Sequence, residues 1–248
     1  HLYDAHWPYT PSLASAQAVG LANNAALEPK GLSLVLNVQS GWSVEEAAQG
    51  KALYRAEIAD LDAMVGEILA LAPDATVVLV ADHGESLGEH DYLFNHGKLA
   101  FAPDTHVPLL IAGPQVTPGI RSELVEITDV APTLLALAGL AEVEDSLLVP
   151  RPPRQQLSVT VGDDEPDPAL GRFSSVVLRD GLRSVGGSRE HPIAGYVRSG
   201  DPRELTPVAT GADDVLVGAV GAIIETGVEP GEAEAEMTEA LRALGYVE

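Results

Sequence analysis

Residues Val77–Ala81 form an unbroken apolar run that stops abruptly at Asp82-His83-Gly84, and this junction constrains the fold more than any other stretch. A short apolar run bounded by polar turn residues predicts a strand buried on both faces, as in a parallel sheet. In open α/β sheets, ligands gather just beyond the carboxyl ends of the strands, which places Asp82 and His83 where chemistry is usually done. A carboxylate oxygen and an imidazole nitrogen side by side can ligate one divalent cation. Gly84 lets the backbone turn sharply behind them. The tripeptide alone fits an ordinary strand and polar turn equally well, so the surrounding pattern has to decide.

Composition removes several alternatives. A chain of 248 residues with 46% hydrophobic content can bury a substantial core. It has no Cys, which excludes disulfides, thiolate metal sites and a cysteine nucleophile within these residues. A formal charge of −23 argues against nucleic acid as a partner, because phosphates require basic patches. No apolar run reaches the length of a transmembrane helix. The chain opens on His1 rather than Met, so it is expected to be a processed or truncated product, and missing targeting signals say nothing of its location.

From the N-terminus, His1 to Pro11 carries two His and an Asp among aromatics and prolines, a rigid loop in which His6 could merely pack on Trp7 or Tyr9. Residues 12–30 give no clear pattern, and the alternation of Leu32, Leu34, Leu36 and Val38 suggests a short strand. Ser43 and Glu46 form a capping box for a helix running to about Ala72. Tyr54, Ile58, Leu61, Val65, Ile68 and Ala72 define its apolar face, with Glu57, Asp60 and Glu67 opposite. Residues 84–106 read as a long loop carrying His90, His96, Lys98 and His106, part of a clustering of imidazoles suited to proton transfer or metal ligation. His90 and His106 are as readily incidental polar-loop residues.

Val107–Gly113 predicts another buried strand. Thr128–Leu137 predicts a helix with an apolar face of Ala131, Leu134, Leu135 and Ala138, closed at Gly139. Residues 145–172, rich in Pro and interrupted by Asp163–Glu165, read as an exposed linker around a strand at Leu157–Val161. Ser174–Leu178, Leu182–Val185 and Ala194–Val197 predict short antiparallel strands, turned at Asp180-Gly181 and Gly186-Gly187. A helix is expected at Glu232–Leu244.

Taken in order, these pieces resemble the sulfatase branch of the alkaline phosphatase superfamily, in the C-terminal half of that fold. Asp4-Ala5-His6-Trp7-Pro8-Tyr9 resembles the family's Asp-x-His-x-Pro-Tyr loop. Tyr54–Asp62 resembles the helix before the metal strand, and Ala81–His90 is similar to the family's C-terminal signature. Asn95-His96-Gly97 followed by Val107-Pro108-Leu109, then Thr128–Leu135, continue the match, with Tyr196–Val208 and Leu241–Val247 in its small C-terminal sheet and ending. The fold class implied is α/β: an alkaline-phosphatase-like sandwich of helices around a mainly parallel sheet, present in part. A small antiparallel C-terminal sheet and helix follow it. Residues 1–150 would be the C-terminal part of the catalytic domain and 151–248 a small subdomain.

The resemblance implies metal-dependent hydrolysis of sulfate esters. It makes Asp82 and His83 metal ligands and gives His6 a place on the ester anion or as an acid for the leaving group. His96 falls at the family's basic position, with Lys98 as competitor. The family uses calcium, while an Asp-His pair suits Mn²⁺ or Zn²⁺ as well. The substrate would be a small anionic ester, a sulfate ester or glycan sulfate, with phosphate esters as the alternative. Many bacterial relatives are exported, which favours a periplasmic or extracellular location over a cytoplasmic one.

The family's N-terminal half supplies paired acidic ligands and the nucleophile, and neither is found in this sequence. The chain alone is therefore expected to hydrolyse sulfate esters negligibly. Two further readings stand beside this one. The first is a phosphoryl-transfer member of the superfamily: a phosphodiesterase, phosphonate monoester hydrolase or phosphoethanolamine transferase. The second is a truncated, non-catalytic relative.

Overall fold

A computed structural model describes residues 1–21, 42–144, 146–150, 154–161, 173–211 and 214–226. The strand expected at Leu32–Val38, the helix expected at Glu232–Leu244, most of the Pro-rich linker and the Leu241–Val247 ending lie outside these residues.

The N-terminal segment leads into α1 (Leu13–Ala18), capped by the Ser12 hydroxyl. The long helix α2 (Val44–Leu71) starts with the capping box read from the sequence, Ser43 and Glu46 bonding reciprocally. Its buried residues are Gly50, Ala52, Leu53, Ala56 and Glu57, which corrects the expected face. Ile58 and Ile68 are exposed, whereas Glu57, assigned to solvent, is only 5% exposed. Burial raises the Glu57 pKa and the charges of Asp4 and Asp60 add to it, while a hydrogen bond from the Thr10 backbone opposes them. Asp60, also assigned to solvent, accepts bonds from Ser12 N (2.6 Å), Ser12 Oγ (2.8 Å) and Ser15 Oγ (2.6 Å). It therefore ties α1 to α2. Periodicity found the helix but not its covered face: polar tethers to the N-terminal segment decide which side of α2 is buried.

Strand β1 (Val77–Val80) pairs antiparallel with β4 (Leu109–Ala112), from Val77 opposite Ala112 to Val80 opposite Leu109. The expected buried parallel strand is thus corrected: among the described residues the pair forms a sheet of its own, with no parallel neighbour. Val80 is 38% and Leu110 59% exposed, because a two-stranded ribbon has too little cover to bury both faces.

The expected loop 84–106 is instead built structure. A hairpin pairs β2 (Ser86–Leu87) with β3 (Leu93–Asn95) around a 3₁₀ turn at Glu89–Asp91, and a short helix, α3 (Ala102–Thr105), follows. A 3₁₀ turn at Ile127–Asp129 opens α4 (Val130–Leu137). The apolar face expected for α4 is solvent-facing at Leu134 and Leu135, and Thr133 is buried instead. The Thr133 hydroxyl donates to Asp129 O (2.6 Å) and accepts from Leu147 N (2.9 Å), so polar bonds seat this helix.

The four-stranded antiparallel sheet β5 (Gln156–Val161), β6 (Phe173–Arg179), β7 (Arg183–Ser188) and β8 (Ala194–Val197) closes the described fold in simple sequential order. Gly186 and Gly187, expected in a turn, lie within β7. A Cβ on Gly186 would meet Val176 O at 2.4 Å, and one on Gly187 would meet His191 O at 2.8 Å. These glycines serve close backbone approach rather than turning. Helix α5 (Val215–Thr226) packs Leu216 and Val220 onto Phe173, Val176, Leu178 and Val185. On another side of the sheet, Val177 and Tyr196 meet Tyr92, Leu99, Ala100 and Phe101 in a second core. None of the described helices is long and apolar enough to cross a membrane.

Candidate active site

Three of the histidines singled out in the sequence meet in space. His83 follows β1, His96 follows β3, and His6 lies in the N-terminal loop. The His83 and His96 rings stack at 3.7 Å and 20°, and His6 stands edge-on to both, at 5.0 Å from His96 and 6.4 Å from His83.

Each ring has a local cause for its place. Trp7 stacks on Phe94 at 5.5 Å and Tyr9 is buried among Leu53 and Phe94, which pins the loop carrying His6 against α2 and the hairpin. Phe94 holds a left-handed φ of 53°, and its ring rests where a Cβ on Gly50 would be, 2.1 Å away. Gly50 is the small residue that admits it. The expected packing of His6 on Trp7 or Tyr9 gives way to contacts with Tyr3, at 5.1 Å, and the other two imidazoles.

Carbonyl oxygens fix two of the tautomers, because a carbonyl can only accept. His6 Nδ1 donates to Trp7 O (2.6 Å) and His83 Nδ1 donates to Gly84 O (3.0 Å). In the neutral rings each Nε2 then carries the lone pair. His96 is different. Its Nδ1 lies 3.7 Å from Glu85 Oε2, and the Glu85 side chain is almost wholly buried. The neighbouring Glu85 carboxylate raises the His96 pKa above the ordinary histidine value, with burial opposing it and Asp104 and Asp82 adding to it. Tyr92 OH donates to His96 O (2.9 Å) and fixes the backbone there.

Behind His96 lies a polar layer that the sequence reading missed. Asp104 is buried and accepts a hydrogen bond from Ser86 Oγ. Burial pushes its pKa up to about 6, against the favourable Ser86 bond and the His96 charge. Glu85 is the fourth residue of Asp82-His83-Gly84-Glu85. Its position two residues beyond His83, entering β2, was the available signal.

Asp82 and His83 remain together. Asp82 Oδ1 accepts from His83 N (3.1 Å) and lies 3.8 Å from His83 Nε2, with the Asp82 side chain 78% exposed. An oxygen and a nitrogen at that spacing fit two places in one cation's shell. Among the described residues no third His, Asp or Glu completes a metal-binding group, so they fit as part of a coordination sphere, which needs about four to eight ligands.

The remaining residues go elsewhere. Lys98 Nζ pairs with Glu190 Oε1 at 2.6 Å, on the loop after β7. His90 stacks on Phe101 at 3.8 Å and 11°. His106 is exposed at the end of α3.

With this geometry in place, the class can be stated. A Sulfatase family model matches residues 1–140, and the chain belongs to the sulfatase family. Among particular relatives, it is 35% identical over 143 residues to arylsulfatase K of Danio rerio, covering 54% of this chain and 26% of that protein. A solved Bacteroides thetaiotaomicron structure, from work on the metabolism of multiple glycosaminoglycans, superposes with a TM-score of 0.61 at 18% identity. It covers 94% of this chain and 54% of that one. The phosphonate monoester hydrolase of Agrobacterium radiobacter gives a TM-score of 0.54 at 24% identity, over 82% of this chain and 43% of that one. These superpositions show the alkaline-phosphatase-like fold expected from the sequence. The chain spans about a quarter of the length of the curated relative and about half of the solved ones.

Proposed function

We propose that this chain forms the metal-binding and leaving-group side of an active site that hydrolyses sulfate esters. The carrying observation is the convergence of His6, His83 and His96, from three separate segments, within 6.4 Å in a chain of the sulfatase family. Residues 1–150 belong to the catalytic domain in this reading and 151–248 to a subdomain that braces it.

Asp82 and His83 would hold a divalent ion, calcium or alternatively manganese or zinc. When bound, it supplies Lewis-acid stabilisation of charge on the ester oxygens. The chain's own residues do the rest. His96, kept protonated to higher pH by Glu85, presents positive charge to a transferring sulfuryl group or a proton to the departing alkoxide. His6 contacts the ester anion in its doubly protonated form, whose Nε2–H can donate while Nδ1 stays on Trp7 O. The nucleophile is not among these residues, so the proposal assigns it to a part of the active site that this chain does not supply. The substrate is a small anionic ester, and the protein acts outside the cytoplasm.

The test is turnover of an aryl sulfate and an aryl phosphonate by the longest natural form of the protein. His96→Gln is expected to lower kcat on the sulfate by about a hundredfold or more, and Lys98→Ala to leave it within a few-fold. Preference for the phosphonate would move the enzyme to phosphoryl transfer. Unchanged turnover in both His96→Gln and His83→Ala would overturn a catalytic role for the cluster. For the 248-residue chain alone, turnover above a His83→Ala control would refute the assignment of the nucleophile elsewhere.

A further inference from the structure

A cavity of about 410 Å³ opens on the outer side of the β2–β3 hairpin, lined by Lys51, Gly88, Glu89, His90, Asp91, His191, Arg203 and Leu205. It shares no residue with the histidine cluster. Its lining is unusual for this chain, which has 14 Lys and Arg against 37 Asp and Glu. Two of those cations and two imidazoles meet here. They share the cavity with two carboxylates: Asp91 is exposed, and Glu89 accepts from Arg203 Nη1 (3.1 Å) and Leu87 N (2.8 Å), so Arg203 is itself already paired and Lys51 is the cation left over.

The loop that forms the cavity is strained. Gly88, His90 and Asp91 have φ of 114°, 51° and 55°. Left-handed His and Asp side by side cost stability and persist only where the surroundings hold them. Here the holding is visible. His90 stacks flat on Phe101 at 3.8 Å and meets His191 edge-on at 5.4 Å, and its Nε2 lies 3.4 Å from Arg203 O, to which it donates. Ser188 Oγ lies 2.9 Å from His191 Nδ1 and already accepts from Glu190 N and His191 N; with its hydroxyl donating to Nδ1, the ring carries its proton on Nε2 and can donate it to a ligand. Lys51 has no ion pair among the described residues, and its ammonium sits beside Gly88, 3.2 Å from where a Cβ would be.

We propose that this cavity is an oxyanion subsite that takes a sulfate or carboxylate group, with Lys51 and His191 as its donors. The volume exceeds what a bare oxyanion fills and lies in the range of small-molecule sites, so an anionic sugar is the better-fitting carrier. A cation is disfavoured, because Lys51 repels it and among the described residues no three His, Asp or Glu side chains form a group that could hold a metal ion. The proposal stands whether or not the histidine cluster cleaves sulfate esters.

The experiment is NMR of the histidine ring resonances of the full 248-residue chain. Sodium sulfate and glucose 6-sulfate are titrated separately, with sodium chloride at matched ionic strength as control. The expected result is a saturable shift of His90 and His191. Lys51→Met and His191→Gln should each weaken binding about fivefold or more while leaving the His6, His83 and His96 resonances in place. Tighter binding of the sugar sulfate assigns the site to a substituted sugar, and equal binding assigns it to free oxyanion; either supports the subsite. Shifts confined to His6, His83 and His96, shifts reproduced by chloride, or unweakened binding in a folded Lys51→Met chain would overturn it.

Discussion

The two sheets at either end of the described fold make opposite use of the same kind of sequence. β1 and β4 are as apolar as any strand in the chain, yet Leu110 is more than half exposed. β6 is buried along its whole length. The difference is cover. β6 has partners on both edges, α5 on one side, and Tyr92 and Phe101 on the other, whereas among the described residues the β1–β4 ribbon has only itself and scattered contacts. Burial belongs to the assembly around a strand, not to the strand.

The contrast extends to the chemistry. The segment that follows the histidine hairpin is fastened to the covered sheet by charge rather than by apolar contact alone. Arg179 Nε and Nη2 donate to Glu204 Oε1 and Oε2, both at 2.8 Å, with side chains 3% and 0% exposed. Glu204 also accepts from Ala102 N (2.9 Å), and Arg179 donates to Ala100 O (3.0 Å). Ser175 Oγ accepts from Ala100 N (3.1 Å) and donates to Gly187 O (2.8 Å). Residues 98–104, which carry Asp104 behind His96, are therefore held by β6 and its partners.

The comparison is broken most forcefully at that pair. Arg179→Ala or Glu204→Ala leaves a buried charge uncompensated and is expected to cost about 3–5 kcal/mol, read as a lower midpoint in urea unfolding. A loss below about 1 kcal/mol would show that the pair is not the fastening. A second measurement sets Phe101→Ala against Leu110→Ala. Removing the fully buried ring should cost about 3–5 kcal/mol, while the exposed leucine should change stability by no more than about 0.5 kcal/mol. Comparable losses would mean that the ribbon is covered in solution.

Asp104 gives a test through pH. Its folded pKa, about 6, is raised above the unfolded value by burial, so the folded state binds its proton more tightly. That contribution is fully present below the unfolded pKa and is lost as pH rises from about 4 to about 6, amounting to about 2–3 kcal/mol. Asp104→Asn should flatten stability across that window. His96 works in the same direction at higher pH, since its pKa is raised by Glu85: its contribution fades as pH climbs through the folded value. Glu85→Gln should remove that slope. A small effect is also expected at Lys98→Ala, which breaks a half-exposed ion pair with Glu190 and should cost no more than about 1 kcal/mol. A larger loss would draw Lys98 into the fastening.

Much of the local structure could be read directly. The Ser43–Glu46 capping box, the start and end of the long helix, and β8 at Ala194–Val197 follow from short-range chemistry that operates wherever the chain is placed. So do the Asp180-Gly181 turn and the adjacency of Asp82 and His83. The ordered motifs around Asp4, Asp82 and Asn95 were enough to indicate the family, because their spacing is set by the fold they serve.

What sequence could not decide was which surfaces meet. It put Glu57 and Asp60 in solvent because period alone cannot see Ser12, Ser15 and the Thr10 backbone arriving from the N-terminal segment. It read 84–106 as a loop because a hairpin whose turn needs left-handed His90 and Asp91 has no propensity signature. Only through the family resemblance did it put His6, His83 and His96 in one site; nothing in their spacing shows how they are held there. That was decided by an aromatic anchor on Gly50, a buried carboxylate behind His96, and a charged clasp on the C-terminal sheet, contacts between residues far apart in the chain whose energies exist only once it is folded.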